Sequence, residues 1–337
     1  MWSITRVDNN KNELLRDKIQ PNEIHNRYDI LYDDYDLYEI GNNVIPLVIQ
    51  GNVAVPGLYL TNYSCELLSD FFSFIFSHYP NVDTIHIKHS YTPIEFACPY
   101  PYWHIELPKT IQEFDASLHQ QVRYNTKWYP KKIQRDLGDF HIEKYELSEI
   151  TDEMVSLYLH WKFLSHGFVF REAPRQYLRQ AGISNAYVLY LGDSIAAIAF
   201  TCDTGANVYF ENFSYDAKYH KYSLGMVLYY FIITDLISMG KKCFYLSGGW
   251  LDYKKRYNGI LTMTYSGNVY RNQSDIRSAF NVAKKIYKCK LPYWVRRHIV
   301  KLWTKLHLAH KYHHIIMDFF PVKQPQVSIL DAFTRDE

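Results

Sequence analysis

The chain has 337 residues, with 37 Lys and Arg against 35 Asp and Glu and a formal net charge of +2. That length can bury a large core and fits one enzyme of two lobes, while the charge balance by itself excludes no class of partner. The 5 cysteines, Cys65, Cys98, Cys202, Cys243 and Cys289, are odd in number and scattered, which excludes a disulfide framework and fits reduced thiols in a cytoplasmic protein.

Met1 to Asn12 lacks the apolar centre of a signal peptide, and no apolar run approaches the ~18 residues needed to span a bilayer. Asp29, Asp33, Asp34, Asp36 and Glu39 make the N-terminal part acidic. Val44–Ile49 and Leu58–Leu60 read as short strands, Cys65–His78 as an apolar helix and Asp83–Lys88 as another strand. The Pro- and aromatic-rich stretch Tyr91–Pro108 reads as a connector or irregular edge, whose Tyr100, Tyr102 and Trp103 either pack or line a sugar pocket. Nothing up to this point spells a catalytic motif.

Arg123, Lys127, Lys131 and Arg135 recur every four residues and would form one basic stripe on a helix. Pro130 complicates that reading, since an interior proline removes a backbone donor and bends the helix. The stripe either faces water or holds a phosphorylated substrate.

The most informative stretch begins at Asn207. Asn207–Ser214 is a strand with β-formers on both faces, as expected where both faces are covered. The loop Tyr215–Ser223 carries Lys218, His220 and Lys221; Gly225–Ile237 is an apolar helix closed by Gly240, and Cys243–Ser247 is the next strand. A strand-helix-strand crossover of this length favours a parallel pair, with the helix N-terminus at the carboxyl ends of the strands. The first-turn amides of such a helix are unpaired and attract phosphate oxygens. Gly225 either admits a pyrophosphate close to the backbone or simply lets the helix pack tightly, and Lys218 and Lys221 would add positive charge.

These parts resemble the GNAT acyltransferase superfamily, in its CelD/BcsL-like branch related to Fem-type peptidoglycan-bridge transferases. Ala186–Leu191, the turn Gly192-Asp193 and Ser194–Phe200 resemble the first hairpin of the acyl-donor lobe. Tyr222-Ser223-Leu224-Gly225, running into Met226, resembles the start of the donor-binding helix, and Gly248-Gly249 followed by Tyr253-Lys254 and Tyr257 resembles a Gly-rich strand end and aromatic-Lys element. Two departures stand out: Gly225 is the only glycine left of the usual pyrophosphate loop, and Leu224 replaces a proline. The resemblance implies an α+β fold with a mixed sheet and flanking helices, in two tandem lobes of which the first is degenerate. The expected division is 1–110 for the degenerate lobe, 111–272 for the donor-binding lobe and 273–337 for a basic helical segment.

Acyl transfer to an amine needs a proton acceptor and an acid for the leaving thiolate. Glu211, on the strand beside the presumed donor groove, is the candidate base. Alternation would place it with Tyr209 and Phe213 on one face; a structural acid inside the sheet is the alternative. Tyr253 is the candidate acid, and Lys254 would bind a phosphate or carboxylate of a substrate. The resemblance adds Arg123 and Trp161 as substrate contacts and His166 as a second candidate base. The donor contacts would be Lys218, Lys221, Tyr222, Ser223, Leu224, Gly225 and Met226.

No acid lies between Asp275 and Asp318, so residues 278–314 form a basic, aromatic stretch suited either to an anionic lipid surface or to packing. His307, His310 and His314 would share a helix face, but no partner of a known zinc motif accompanies them and no metal is expected. The expected function is a cytoplasmic N-acyltransferase using acetyl-CoA or another acyl-CoA, acting on an amino group of a sugar or amino-acid precursor of an envelope polysaccharide, nucleotide- or lipid-linked forms included. The alternatives are a Fem-type transferase using aminoacyl-tRNA, which the basic C-terminal stretch would bind, and an inactive binding protein of an envelope assembly.

Overall fold

The computed structural model describes residues 2–7, 27, 31, 32, 34–94, 97–166, 173–248 and 254–271. The basic segment 273–337, with its lipid-surface stretch and histidines, lies outside the described residues, as does Tyr253.

The chain runs β1 (Ile4–Val7), β2 (Asp36–Ile40), β3 (Asn43–Gln50), β4 (Val53–Pro56), α1 (Cys65–His78), β5 (Thr84–Ser90), β6 (Cys98–Glu106), α2 (Ile111–Ser117), α3 (Gln120–Leu137), β7 (Phe140–Glu146), α4 (Asp152–His166), α5 (Pro174–Gln180), β8 (Asn185–Leu191), β9 (Ser194–Asp203), β10 (Asn207–Tyr215), α6 (Leu224–Ser238), β11 (Cys243–Gly248) and β12 (Ile260–Tyr270). Short 3₁₀ turns occupy Ala217–Tyr222 and Lys254–Tyr257. Strands and helices fall into two compact units, one of residues 1–101 and 263–337, the other Tyr102–Thr262. The expected mixed sheets with flanking helices are present.

In the first unit β1, β2, β3 and β4 form an antiparallel meander, β4 pairs with β5 in parallel at Val53↔Thr84 and Ala54↔Ile85, and β12 pairs with β5 antiparallel. Helix α1 buries Leu67, Leu68, Phe71, Phe72 and Ile75, one apolar face at helical spacing. Its start carries a side-chain cap: the Ser64 side chain accepts from the Leu67 amide at 3.2 Å. Beyond their brief pairing, the segment after β4 is bonded to the end of β5 and the residues that follow it. The Leu60 amide donates to the His89 carbonyl and the Tyr91 amide to the Thr61 carbonyl, both at 2.8 Å, and Thr92 Oγ1 donates to the Tyr63 carbonyl at 2.6 Å.

Two local expectations change here. Leu58–Leu60 is not a strand; β4 ends at Pro56 and the chain turns, with Leu60 in the left-handed region at φ 56°. Tyr91–Pro108 is not merely a connector, because β6 pairs with β11 along Tyr102–Glu106, beyond the prolines at 99 and 101 that would remove ladder donors.

In the second unit the ladder order is β6, β11, β10, β9, β8, β7. The faces are sorted by alternation: Tyr187, Leu189, Ala197, Ala199, Val208 and Phe210 pack with α6, whereas Ala186, Val188, Ile198 and Phe200 pack with Tyr158 and Trp161 of α4 and Tyr177 and Leu178 of α5. Helix α6 is apolar nearly all round because it is covered twice, by the sheet and by α2 and α3. The basic stripe does form a helix, α3, which continues through Pro130.

Leu228 of α6 is fully buried. Leu228→Ala is expected to cost about 2–5 kcal/mol in urea unfolding, with the strand content by circular dichroism unchanged at zero denaturant.

Candidate functional site

Strands β10 and β11 run parallel and pair only at Asn207↔Cys243, Val208↔Phe244 and Tyr209↔Tyr245. Past Tyr209 they separate, and among the described residues no hydrogen bond joins them again. Each strand has a reason to diverge. β10 carries a bulge: Phe210 faces Thr201 and Asn212 faces Phe200, so Glu211 is the extra residue. β11 carries Ser247, one residue before its end, in the left-handed region at φ 56°.

The bulge corrects the expected alternation. Tyr209 stacks on Tyr245 with ring centroids 4.8 Å apart, on the face away from α6, while the Phe213 ring lies against the start of α6. Glu211, half-buried at the bulge, therefore does not share one face with both aromatic neighbours.

The start of α6 lies where the strands part. Ser223 takes the cap position with φ 51° and offers no side-chain cap. Its carbonyl accepts from the Met226 amide at 2.8 Å and the Val227 amide at 3.3 Å. The amides of Leu224 and Gly225 meet no acceptor among the described residues. Gly225 is also a packing glycine: a Cβ there would stand 2.9 Å from Phe213 Cε1. The other expected donor contacts divide. Tyr222 and Leu224 are buried in the core. Lys218 is exposed but paired with Asp216 at 2.8 Å, which raises its pKa through that hydrogen bond. Lys221 is exposed, and its carbonyl accepts from Lys132 Nζ at 3.0 Å, a bond that ties α3 to the loop before α6.

A cavity of about 390 Å³ borders this helix start, lined by the α3 cap residue His119, Gln121 and Asn125 of α3, Met226 of α6, and Lys255, Arg256 and Asn258. Its size falls at the lower end for small-molecule sites. His119 Nδ1 accepts from the Gln121 amide at 3.3 Å, leaving the ring proton on Nε2. Asn258 Nδ2 donates to Ser117 Oγ at 2.7 Å. Among the described residues, Met226 is the one expected site residue that lines this cavity; Arg123 is one turn away on α3, its guanidinium donating to the Leu118 carbonyl at 3.4 Å. His119, Lys255 and Arg256 were not singled out from sequence, although Lys255 and Arg256 directly follow the aromatic-Lys element.

Lys254 and Trp161 sit elsewhere than expected. Lys254 is fully buried, and Nζ donates to the carbonyls of Ser247 at 3.0 Å and Gly248 at 2.7 Å. The ammonium holds the end of β11 in its turned course, so in this arrangement it is engaged by backbone and not by substrate. Trp161 packs in the core beneath α4. His166 ends α4; its side chain, like Tyr253, lies outside the described residues. Among those residues no helix is long and apolar enough to cross a membrane, and no cluster of three or more His, Cys, Asp or Glu could hold a metal.

Burial lowers the Lys254 pKa to about 7. Folded Lys254 thus releases a proton that the unfolded chain retains until about pH 10.4, so folding stability rises with pH between those limits. Thermal unfolding from pH 7 to 10 should show this rise in the wild type and a shallower one in Lys254→Met. Equal slopes would contradict it.

Comparison with known proteins agrees with this geometry. Residues 120–255 match the acetyltransferase (GNAT) domain family. The C-terminal domain of a candidate lysylphosphatidylglycerol synthetase from Agrobacterium fabrum has a similar fold, with TM-score 0.52, 13% identity, and coverage of 80% of this chain and 92% of that one. FemX gives TM-score 0.53 at 9% identity, covering 78% of this chain and 96% of that one. A protein of unknown function from Bacteroides thetaiotaomicron gives 0.50 at 11% identity, covering 80% and 99%. Among curated proteins none matches the chain. At such identities the structural likeness is one of fold alone. Residues 120–255 thus form an acetyltransferase (GNAT) domain, and the chain is an acyltransferase.

Proposed function

We propose that this chain is an N-acyltransferase of the CelD/BcsL-like kind, moving an acyl group, acetyl by default, from a coenzyme A thioester to an amino group of a sugar or amino-acid precursor of an envelope polysaccharide in the cytoplasm. The observation that carries this reading is the uncapped start of α6 at the opening of β10 and β11. Two amides without acceptors and the positive end of a helix dipole suit a diphosphate, and Lys255 and Arg256 across the cavity add two cations.

In the reaction the acceptor nitrogen attacks the thioester carbonyl carbon, the carbon–sulfur bond breaks, and the amine proton and the thiolate must each be managed. Glu211, at the bulge on the rim of the opening, is the proposed proton acceptor, with His166 as the second candidate. Tyr253 would protonate the departing thiolate. Direct attack within a ternary complex suits the site, since no cysteine lies in a nucleophile motif.

A second reading has its own support. Lys127 and Lys131 are exposed on α3, and the fold is similar to that of FemX, so an aminoacyl-tRNA donor would meet cations beyond the cavity. Its binding would weaken steeply with salt.

Acetyl-CoA is expected to raise the melting temperature of the purified protein, and Lys255→Ala with Arg256→Ala to reduce that shift; stabilisation by charged tRNA alone would favour the second reading. Mass spectrometry of donors retained on purification is the direct check. Glu211→Gln should lower kcat by roughly 10²–10⁴-fold with little change in donor affinity; an unchanged kcat would move the proton to another group. Gly225→Ala should lose stability against the Phe213 ring, and pairing it with Phe213→Leu should restore stability while donor binding stays weakened. Recovery of both would make Gly225 a packing residue only.

A further inference from the structure

Lys162 lies on α4, the helix that covers β9 and β10 on the face opposite α6. It follows Tyr158 by four residues, so the two share a helix face. That face is turned inward: Tyr158 is fully buried and meets Phe200 of β9 at 4.7 Å between ring centroids. Lys162 itself is only 6% exposed. Its ammonium lies 5.7 Å from the centre of the Tyr158 ring, and among the described residues no carboxylate or carbonyl accepts from it. The contrast with Lys254 is direct, since that buried ammonium is matched by two carbonyls.

Nζ is not among the sealed side-chain atoms that lack a partner, so it keeps a contact with water; holding it mostly buried without a protein acceptor is still costly, and a methionine of similar length would fill the same space at no such cost. An aromatic face offsets part of the loss and leaves the donor hydrogens unspent. Burial brings the Lys162 pKa down to about 8, so much of the population is still charged near neutrality. Lys162 is thus a mostly buried cation with spare donors on the helix packed against β10, the strand that carries Glu211.

We propose that Lys162 is a specificity-determining residue that receives an oxyanion of the acceptor, a phosphate or a carboxylate, and so selects amines that carry such a group. The proposal rests on the transferase reading for its role, because α6 and the cavity occupy the donor face and leave the α4 face to the acceptor. The anion site itself does not depend on that reading.

The test uses the full chain in a Lys255→Ala, Arg256→Ala background, which removes the cations of the donor cavity. Inorganic phosphate and acetate are titrated by calorimetry without any acyl donor. Saturable binding of one of them, weakened at least tenfold by Lys162→Met and less by Lys162→Arg, is expected. Phosphate binding alone would identify a phosphate acceptor, and acetate binding alone a carboxylate. If the background protein binds neither anion, or binds them equally after Lys162→Met, the proposal is overturned; the first result does not depend on the variant folding. In acetyl-transfer assays on the wild-type background, Lys162→Met should raise KM at least tenfold for glucosamine 6-phosphate or β-alanine, with kcat nearly unchanged, and leave glucosamine unaffected. Anion binding without acyl transfer would instead retain the site and reject the transferase reading.

Discussion

The site depends on a parallel ladder that stops early. β10 and β11 pair over a few residues and then part, one strand turned by the bulge at Glu211 and the other by the left-handed Ser247. Since the crossover helix starts at the carboxyl end of β10, its free amides come to lie beside that opening. The Lys254 ammonium keeps the end of β11 in place by bonding its last carbonyls. Geometry and electrostatics are thus settled by the same few residues.

The first unit shows what happens when such an opening is not kept. It repeats the arrangement of a short parallel pair, β4 and β5, connected through a helix. There Ser64 caps the helix, and the chain from Leu60 to Tyr63 bonds to the segment from His89 to Thr92. The Leu67 amide and the backbone groups at the ends of the parallel pair are thereby used internally. The second unit has neither the side-chain cap nor, among the described residues, the lacing. The two units thus differ in which backbone groups are satisfied within the chain.

Among the described residues two lysines of the second unit are buried, in different surroundings. Lys254 is consumed by structure, and its bonds shape the strand end. Lys162 is left against an aromatic ring with its donors unspent. A buried charge is tolerated only where something compensates it, so the same residue type in two environments gives a structural staple in one place and a receptor in the other.

Much of the second unit was legible in the chain. The hairpin of β8 and β9, the strand from Asn207, the helix closed by Gly240 and the following strand all follow from runs of β-formers, a turn at Gly192 and an apolar stretch of helical length, which are local properties. What the sequence did not disclose is non-local. The bulge at Glu211 reverses the alternation after it, because a strand's register is set by its partner β9 and not by its own residues. β12 pairs with β5, a strand far earlier in the chain, and no local pattern encodes such a return. Trp161 and Lys254 carried the chemistry expected of substrate contacts, yet packing placed one in the core and spent the other on two carbonyls. Lys162, His119, Lys255 and Arg256 passed unnoticed since a single polar residue acquires meaning only when tertiary contacts fix what surrounds it. Composition and periodicity therefore determined which elements form, while burial and the pairing of distant strands decided which side chains and amides remain available to a ligand.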